Sequence, residues 1–194
     1  VDLVKGYLAL SAACLSTTFI ITQRTGACRR IAGSGNEFAC QHLLPGLVTG
    51  ETFSTVGLSH LTTSHRHLGA PVLRAEQTSG GFLLDGFSPW VTGATMAHSI
   101  VVGATLDDGR QVLIVVPTDH RGVEVHPPAQ LMALSSSHTG RVDFHGVQVS
   151  QDWLLAGPAE NVMSQAIGAN PGGLQTSTLA VGLADAALHF LEEE

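Results

Sequence analysis

A chain of 194 residues suits one domain, or a domain with appended pieces, and is long enough to bury most of its apolar surface. With 9 Lys and Arg against 16 Asp and Glu, the net charge of -7 excludes nucleic acid as a partner, because no basic stripe exists to release counterions. Hydrophobic residues make up 44% and charged residues 13%, with a mean hydropathy of +0.24, which implies faces that expect a partner or further chain.

From Leu3 to about Ile31 apolar residues recur at helical spacing (Leu8, Ala12, Leu15, Phe19), which predicts one long helix or two, mostly buried. The uncharged run from Gly6 to Gln23 is diluted by Ser11, Ser16, Thr17, Thr18 and Thr22 and is barely long enough to span a bilayer, so no membrane span is expected. Lys5 precedes an apolar stretch, but Asp2 sits where a signal peptide would be basic, so export is not expected either. Cys14, Cys28 and Cys40 are odd in number and form no CxxC pair; they read as buried thiols of a reducing compartment, hence a cytoplasmic protein. Gly33-Ser34-Gly35 ends the first helical region, and a second short helix from Asn36 to Leu44 is closed by Pro45-Gly46. Gly33-Ser34-Gly35-Asn36 is no dinucleotide loop, since no strand precedes it and the third glycine is absent.

After Gly50 the texture turns to β. Strands are predicted at Phe53 to Leu58, Pro71 to Glu76, and Phe82 to Leu84 leading on towards Trp90. Ser99 to Leu106 and Gln111 to Val116 form a hairpin around Asp107-Asp108-Gly109-Arg110. Val123 and Val125 alternate with Glu124 and His126, and Arg141 to Val149 alternates again before a kink at Gly146. Beyond Gly157-Pro158 the period returns to helical: Leu179, Leu183, Ala187 and Leu191 form an apolar stripe of core or subunit interface, with a cap near Thr176. Glu192-Glu193-Glu194 opposes the helix macrodipole, so this helix is expected to continue in a longer parent. The fold class is α+β: a helical segment over 1–50, a central antiparallel β barrel or sandwich over 51–157, and the start of a helical bundle over 158–194.

Within Gly86-Phe87-Ser88-Pro89-Trp90-Val91-Thr92-Gly93, strand alternation places Trp90 and Thr92 on one face with Val91 opposite, a face on which a flat ring edge can lie. Rival sites are weaker. His60, His65 and His67 have no carboxylate beside them and Arg66 among them, so they read as a polar loop and no metal is expected. Asp119-His120 with Ser135, Ser136 or Ser137 lacks a nucleophile elbow, so hydrolase chemistry is not expected.

Helices, a β unit and helices again, with Ser88-Pro89-Trp90-Val91-Thr92-Gly93 at the centre, resemble the acyl-CoA dehydrogenase family of flavoproteins. Val56-Gly57-Leu58-Ser59, Phe82-Leu83-Leu84-Asp85-Gly86, Arg141 to Val149, and Leu179-Ala180-Val181-Gly182-Leu183-Ala184 resemble further blocks of that family in the same order. The resemblance covers the end of the N-terminal helical domain, the middle β domain and the opening of the C-terminal bundle. It implies FAD as cofactor and an acyl-CoA thioester as substrate: a carboxylate takes the α proton while hydride leaves the β carbon for flavin N5. It also implies electron-transfer flavoprotein or another acceptor as redox partner, and a homo-oligomer. By the same resemblance Thr92 reaches the N5 and O4 edge, Trp90 packs by the ring beside Val91, Ser59 bonds the pyrimidine end with Val56 and Leu58 lining the strand, and Ser64 falls near the phosphates. Departures from the pattern are His60-Leu61 for acid and proline, Ser64-His65-Arg66 for Gly-Ser-Asp, Ser88 for lysine and Gly173 for arginine. The family's catalytic carboxylate lies past Glu194, so no catalytic residue is assigned. Two alternatives remain: a non-catalytic relative that binds acyl-CoA or a partner, and a flavin monooxygenase or nitroalkane oxidase on the same architecture.

Overall fold

The computed structural model describes residues 2–62, 70–165 and 173–193. Two helices stand where the first apolar run predicts one or two: α1 (Asp2–Ala13) and α2 (Leu15–Ala32). They part at Cys14, which is extended at φ -157° and exposed rather than a buried thiol. Its carbonyl accepts both the Thr18 hydroxyl at 2.8 Å and the Thr18 N–H at 3.1 Å, while its side chain makes no cap bond. Cys28 and Cys40 are half-buried, and burial pushes the Cys28 thiol up against the opposing pull of Arg24. Among the described residues no helix is long and apolar enough to cross a membrane.

Helix α3 (Glu37–Thr49) corrects the expected stop at Pro45-Gly46, because it runs through both and ends at Gly50 in the left-handed region. The interior proline removes one N–H, but α2 holds the far end in place: the Arg24 guanidinium donates to the Leu47 carbonyl, and Leu47 is buried. At the other end Asn36 caps the helix, its Oδ1 accepting from Ala39 N at 2.9 Å. The Asn36 amide also donates to the carbonyls of Asp152 and Leu154, at 2.7 and 2.8 Å, tying α3 to the sheet 116 and 118 residues on.

The β unit is one eight-stranded, mostly antiparallel sheet in the order β6-β7-β3-β2-β4-β5-β8, with β1 alongside β4. Its strands are β1 (Ser54–Gly57), β2 (Leu73–Thr78), β3 (Gly81–Val91), β4 (Ser99–Thr105), β5 (Gln111–Pro117), β6 (Val123–Val125), β7 (Gly140–Ser150) and β8 (Leu154–Ala159). Sequence periodicity misses β8, whose Leu154-Leu155-Ala156-Gly157-Pro158-Ala159 does not alternate, and the one-turn helix α4 (Ser59–Thr62), too short to show a period. Two pairings, β1 with β4 and β2 with β4, are parallel.

Strands β4 and β5 are buried on both faces, which is why they read as unbroken β-branched runs. Ile100, Val102, Val112, Ile114 and Val116 face a core shared with Leu73, Phe82, Leu84, Val142, Phe144 and Val149, so the sheet curls around its own interior. Val101, Leu113 and Val115 face a second core built with Ala27, Ile31, Ala39, Leu47, Leu58 and Leu61, which seats α2 to α4 on the sheet.

After the short α5 (Val162–Gln165), helix α6 (Gly173–Glu193) packs on α1, where a Cβ at Gly182 would lie 2.5 Å from the Leu8 carbonyl. Thr176 lies inside α6 and is not its cap. Of the predicted apolar stripe only Leu179 is buried; Leu183 and Leu191, with Val181, Leu188 and Phe190, are exposed because α1 and α2 cover one side of α6 alone.

Because one Asn36 side chain makes the cap and both ties to the sheet, Asn36→Ala is expected to cost about 1–3 kcal/mol. The measurement is the urea midpoint at constant m; an unchanged midpoint refutes the tie.

Candidate functional site

Trp90 and Thr92 stand at the C-terminal end of β3, and the way β3 pairs with β7 decides how each is presented. From Ser88↔Val142 to Val91↔Gly140, β3 advances three residues while β7 advances two, so β3 carries one extra residue at Pro89-Trp90. Proline, which has no N–H to give a ladder, belongs at such a bulge. Two-residue alternation stops there. Ser88 is buried, Trp90 is 48% exposed, and both Val91 and Thr92 are buried, Thr92 at 5% exposure.

Two other chain segments, β1 and the stretch leading into β7, converge on Thr92. Its carbonyl accepts the Thr55 hydroxyl of β1 at 2.7 Å, and its own hydroxyl meets Thr139 Oγ1 at 3.0 Å. Thr139 Oγ1 in turn meets Ser137 Oγ at 2.7 Å, and Gly93 N donates to the Ser137 carbonyl at 2.9 Å. Three hydroxyls thus share two hydrogen bonds. Each hydroxyl has one proton, so one donor is left over; when the chain runs Ser137 to Thr139 to Thr92, that donor is the Thr92 hydroxyl. Ser137 sits on a single 3-10 turn whose flanking residues, Leu134 at φ 63° and His138 at φ 50°, are both in the left-handed region. Each non-glycine residue held there costs about 1–2 kcal/mol, strain that the surrounding bonds must overcome.

Gly93 follows at φ 68°, and a Cβ on it would sit 2.9 Å from the Phe53 ring, so glycine is required for both conformation and space. Phe53 is fixed by a reciprocal pair with His98: Phe53 N donates to His98 Nδ1 at 3.1 Å and His98 N to the Phe53 carbonyl at 2.8 Å. On the outer side Met96 is 64% exposed, and Thr95 Oγ1 lies 3.1 Å from His138 Nδ1. The strand end therefore combines an exposed indole and an exposed thioether with the buried hydroxyls of Thr92, Thr139 and Ser137.

The other predicted residues are placed differently. Val56, on β1, is half-buried against the second core; Leu58 belongs to that core; Ser59 opens α4 and is half-buried. Ser64 lies outside the described residues, as do His65, Arg66 and His67. His60 is not part of a polar loop: it is buried on α4 with Nε2 at 2.6 Å from the Gly103 carbonyl. Ser88, which replaces the family's lysine, is buried at 0% exposure; its Oγ has no hydrogen-bond partner among the described residues and faces Gly57. Thr55, Ser137 and Thr139 escape sequence reasoning, since residues 37 and 47 positions away from Thr92 leave no local signal.

The fold defines a class: it is the α+β architecture found in acyl-CoA dehydrogenases. The comparisons agree. A probable acyl-CoA dehydrogenase of Bacillus subtilis (strain 168), YngJ, is 27% identical over 152 residues, covering 76% of this chain and 40% of the relative. A solved FAD-dependent dehydrogenase superposes with TM-score 0.83 at 23% identity over 98% of this chain and 53% of its own. Butyryl-CoA dehydrogenase from Megasphaera elsdenii superposes with TM-score 0.82 at 18% identity, over 96% and 50%. No family model matches the chain. The resemblance to acyl-CoA dehydrogenases thus holds in sequence and in fold, and the chain spans 40% to about half the length of these proteins.

Two substitutions test the site's hydrogen bonding in opposite directions. Thr139→Val removes the middle of the hydroxyl chain and is expected to destabilise by about 1–3 kcal/mol. Ser88→Ala removes an orphaned buried hydroxyl and is expected to be neutral or to stabilise by about 1 kcal/mol. Thermal melts of both variants read the two signs.

Proposed function

We propose that this chain supplies the redox-rim half of an FAD site in an acyl-CoA dehydrogenase-type oxidoreductase. The observation that carries the reading is the buried Thr92 hydroxyl, held in a hydrogen-bonded chain with Thr139 and Ser137 and two residues from the exposed Trp90 indole, at the strand end where the family keeps its flavin. These residues fit the group: an aromatic surface for a flat ring, and a preorganised donor where negative charge develops on reduction. Bound there, FAD supplies a two-electron acceptor for hydride leaving the β carbon of an acyl thioester.

In this proposal Trp90 orients the ring by contact, and Thr92 donates to its electron-rich edge. Thr139 and Ser137 position the Thr92 hydroxyl, so the donor needs no reorganisation when charge appears. Val91, sealed in the core, anchors the two residues between which it stands, and Gly93 lets the chain turn away without covering them. Val56, Leu58 and Ser59 support the ring's other end through β1 and α4, and Ser64 is assigned to the phosphate side. None of this chain's carboxylates is assigned as the base. The middle β domain over 51–157, the helical segments flanking it, an external electron acceptor and a homo-oligomer built on the exposed face of α6 belong to the same reading.

A second reading, ligand or partner binding without chemistry, is favoured by His60. Where the family has an acid followed by proline, this chain buries an imidazole against Gly103.

FAD titration of the full chain, followed by visible absorbance, tests the first reading. Thr92→Val is expected to weaken retention about tenfold, the equivalent of ~1.4 kcal/mol, and Trp90→Ala comparably. Bleaching of the loaded protein by an acyl-CoA would identify the substrate class. Variants that hold FAD as well as the parent chain refute the residue assignment; a folded parent that takes up no FAD favours the second reading.

A further inference from the structure

We propose that Glu124, His126, Asp143 and His145 form a binding site for one divalent transition-metal ion of the zinc class on the outer face of β6 and β7. The placement follows from register. Glu124 pairs with Asp143, flanked by Val123↔Phe144 and Val125↔Val142. The flanking four contribute to the core inside the sheet, so Glu124 and Asp143 point outward together. His126, two residues beyond Glu124, keeps to the same face because its N–H still donates to the Arg141 carbonyl at 3.1 Å. His145, two residues beyond Asp143, is held by its N–H to the Gly122 carbonyl at 2.8 Å, just before a bulge at Gly146.

Distances suit a single ion. His145 Nε2 lies 3.4 Å from Glu124 Oε2, and His126 Nε2 lies 3.9 Å from Glu124 Oε1. Donor atoms of Glu124, Asp143 and His145 all fall within 4.8 Å of one another. Ligands about 2.0–2.2 Å from a tetrahedral ion stand roughly 3.3 Å apart, so small side-chain rotations bring Glu124, Asp143 and His145 onto one ion, and His126, on the other side of the Glu124–Asp143 pair, joins as fourth ligand by a larger turn of its ring. The shortest contact is a hydrogen bond, His126 Nε2–H donating to Asp143 Oδ2 at 2.6 Å. On metal entry Nε2 gives up that proton, to solvent from the imidazolium or to Nδ1 by way of solvent from the neutral ring, so that a neutral Nδ1–H imidazole turns its Nε2 lone pair to the ion and the contact lengthens to a ligand–ligand spacing.

Donor chemistry selects the class of ion. Two imidazoles and two carboxylates favour zinc, nickel or copper; calcium and magnesium prefer more oxygens and no nitrogen. Asp143 is already positioned for the task. Its side chain is 10% exposed, and Arg141 Nε donates to Oδ1 at 2.6 Å, leaving Oδ2 for the ion. Arg141 is itself held over the Phe87 ring, its guanidinium carbon 3.8 Å from the centroid, an outer support of the kind that orients metal ligands. The consequence is mechanical. β6 is a three-residue strand at the edge of the sheet, and an ion shared with β7 staples it in place.

The test is calorimetric titration of the full, chelator-stripped chain with ZnCl2, NiCl2, CaCl2 and MgCl2, with thermal melts alongside. Saturable binding of one Zn2+ or Ni2+ per chain is expected, with a melting temperature that rises with metal concentration and no response to Ca2+ or Mg2+. Outer-sphere partners alone cost about 10–100-fold in metal affinity, so His126→Ala or His145→Ala is expected to cost at least as much. His126→Gln keeps a hydrogen bond to Asp143 and separates loss of a ligand from loss of the pair. The proposal fails if the folded parent binds no Zn2+ or Ni2+, if Ca2+ binds equally well, or if zinc binding persists in the folded His126→Ala/His145→Ala double variant.

Discussion

One antiparallel ladder, the eleven residues of β3 against the eleven of β7, sets which side chains this sheet buries and which it presents. It is out of step twice. Near Leu84 to Gly86 the extra residue is on β7, at His145-Gly146, where Gly146 takes a φ of 60°; near Ser88 to Val91 it is on β3, at Pro89-Trp90. A regular ladder would keep strict alternation throughout. Each bulge instead turns one large polar or aromatic group outward while the residues on either side remain in register with the core.

The second bulge explains why Trp90 is open and Thr92 closed although they lie two apart. Once Thr92 is buried, its carbonyl and hydroxyl must find partners, and these come from β1 and from the turn before β7. That requirement fixes Thr139, Ser137 and the strained turn flanked by Leu134 and His138. Strain in such a turn persists only where its neighbours over-determine it, and here the Gly93 N–H to Ser137 carbonyl bond and the hydroxyl chain do so.

The two cores divide the labour between scaffold and helices. β4 and β5 contribute to both, with Ile100 and Val102 facing inward and Val101 facing α2 to α4. The helices are therefore seated on the same strands that enclose the sheet's interior, and Asn36 adds a polar tie between α3 and the residues leading into β8. α6 is joined to this body chiefly through α1, by close approach at Gly182, which leaves its other apolar side chains outward.

Much of this was legible in the amino-acid order alone. Alternation and β-branched runs gave the strands and the hairpin, helical spacing gave α1 to α3 and α6, and the order of short blocks gave the family resemblance, because each is a local pattern of apolar side chains. Local patterns could not show that Pro45 would be carried inside a helix, since the Arg24 and Leu47 contacts that hold it come from packing. Nor could they show that His60 would be buried, that Thr139 would meet Thr92, or that Glu124 and His126 would share a face with Asp143 and His145. Those were decided by strand pairing and by the two one-residue shifts in the β3–β7 ladder. Pairing brings together groups far apart in the chain, and a bulge inverts the exposure that period-two counting assigns.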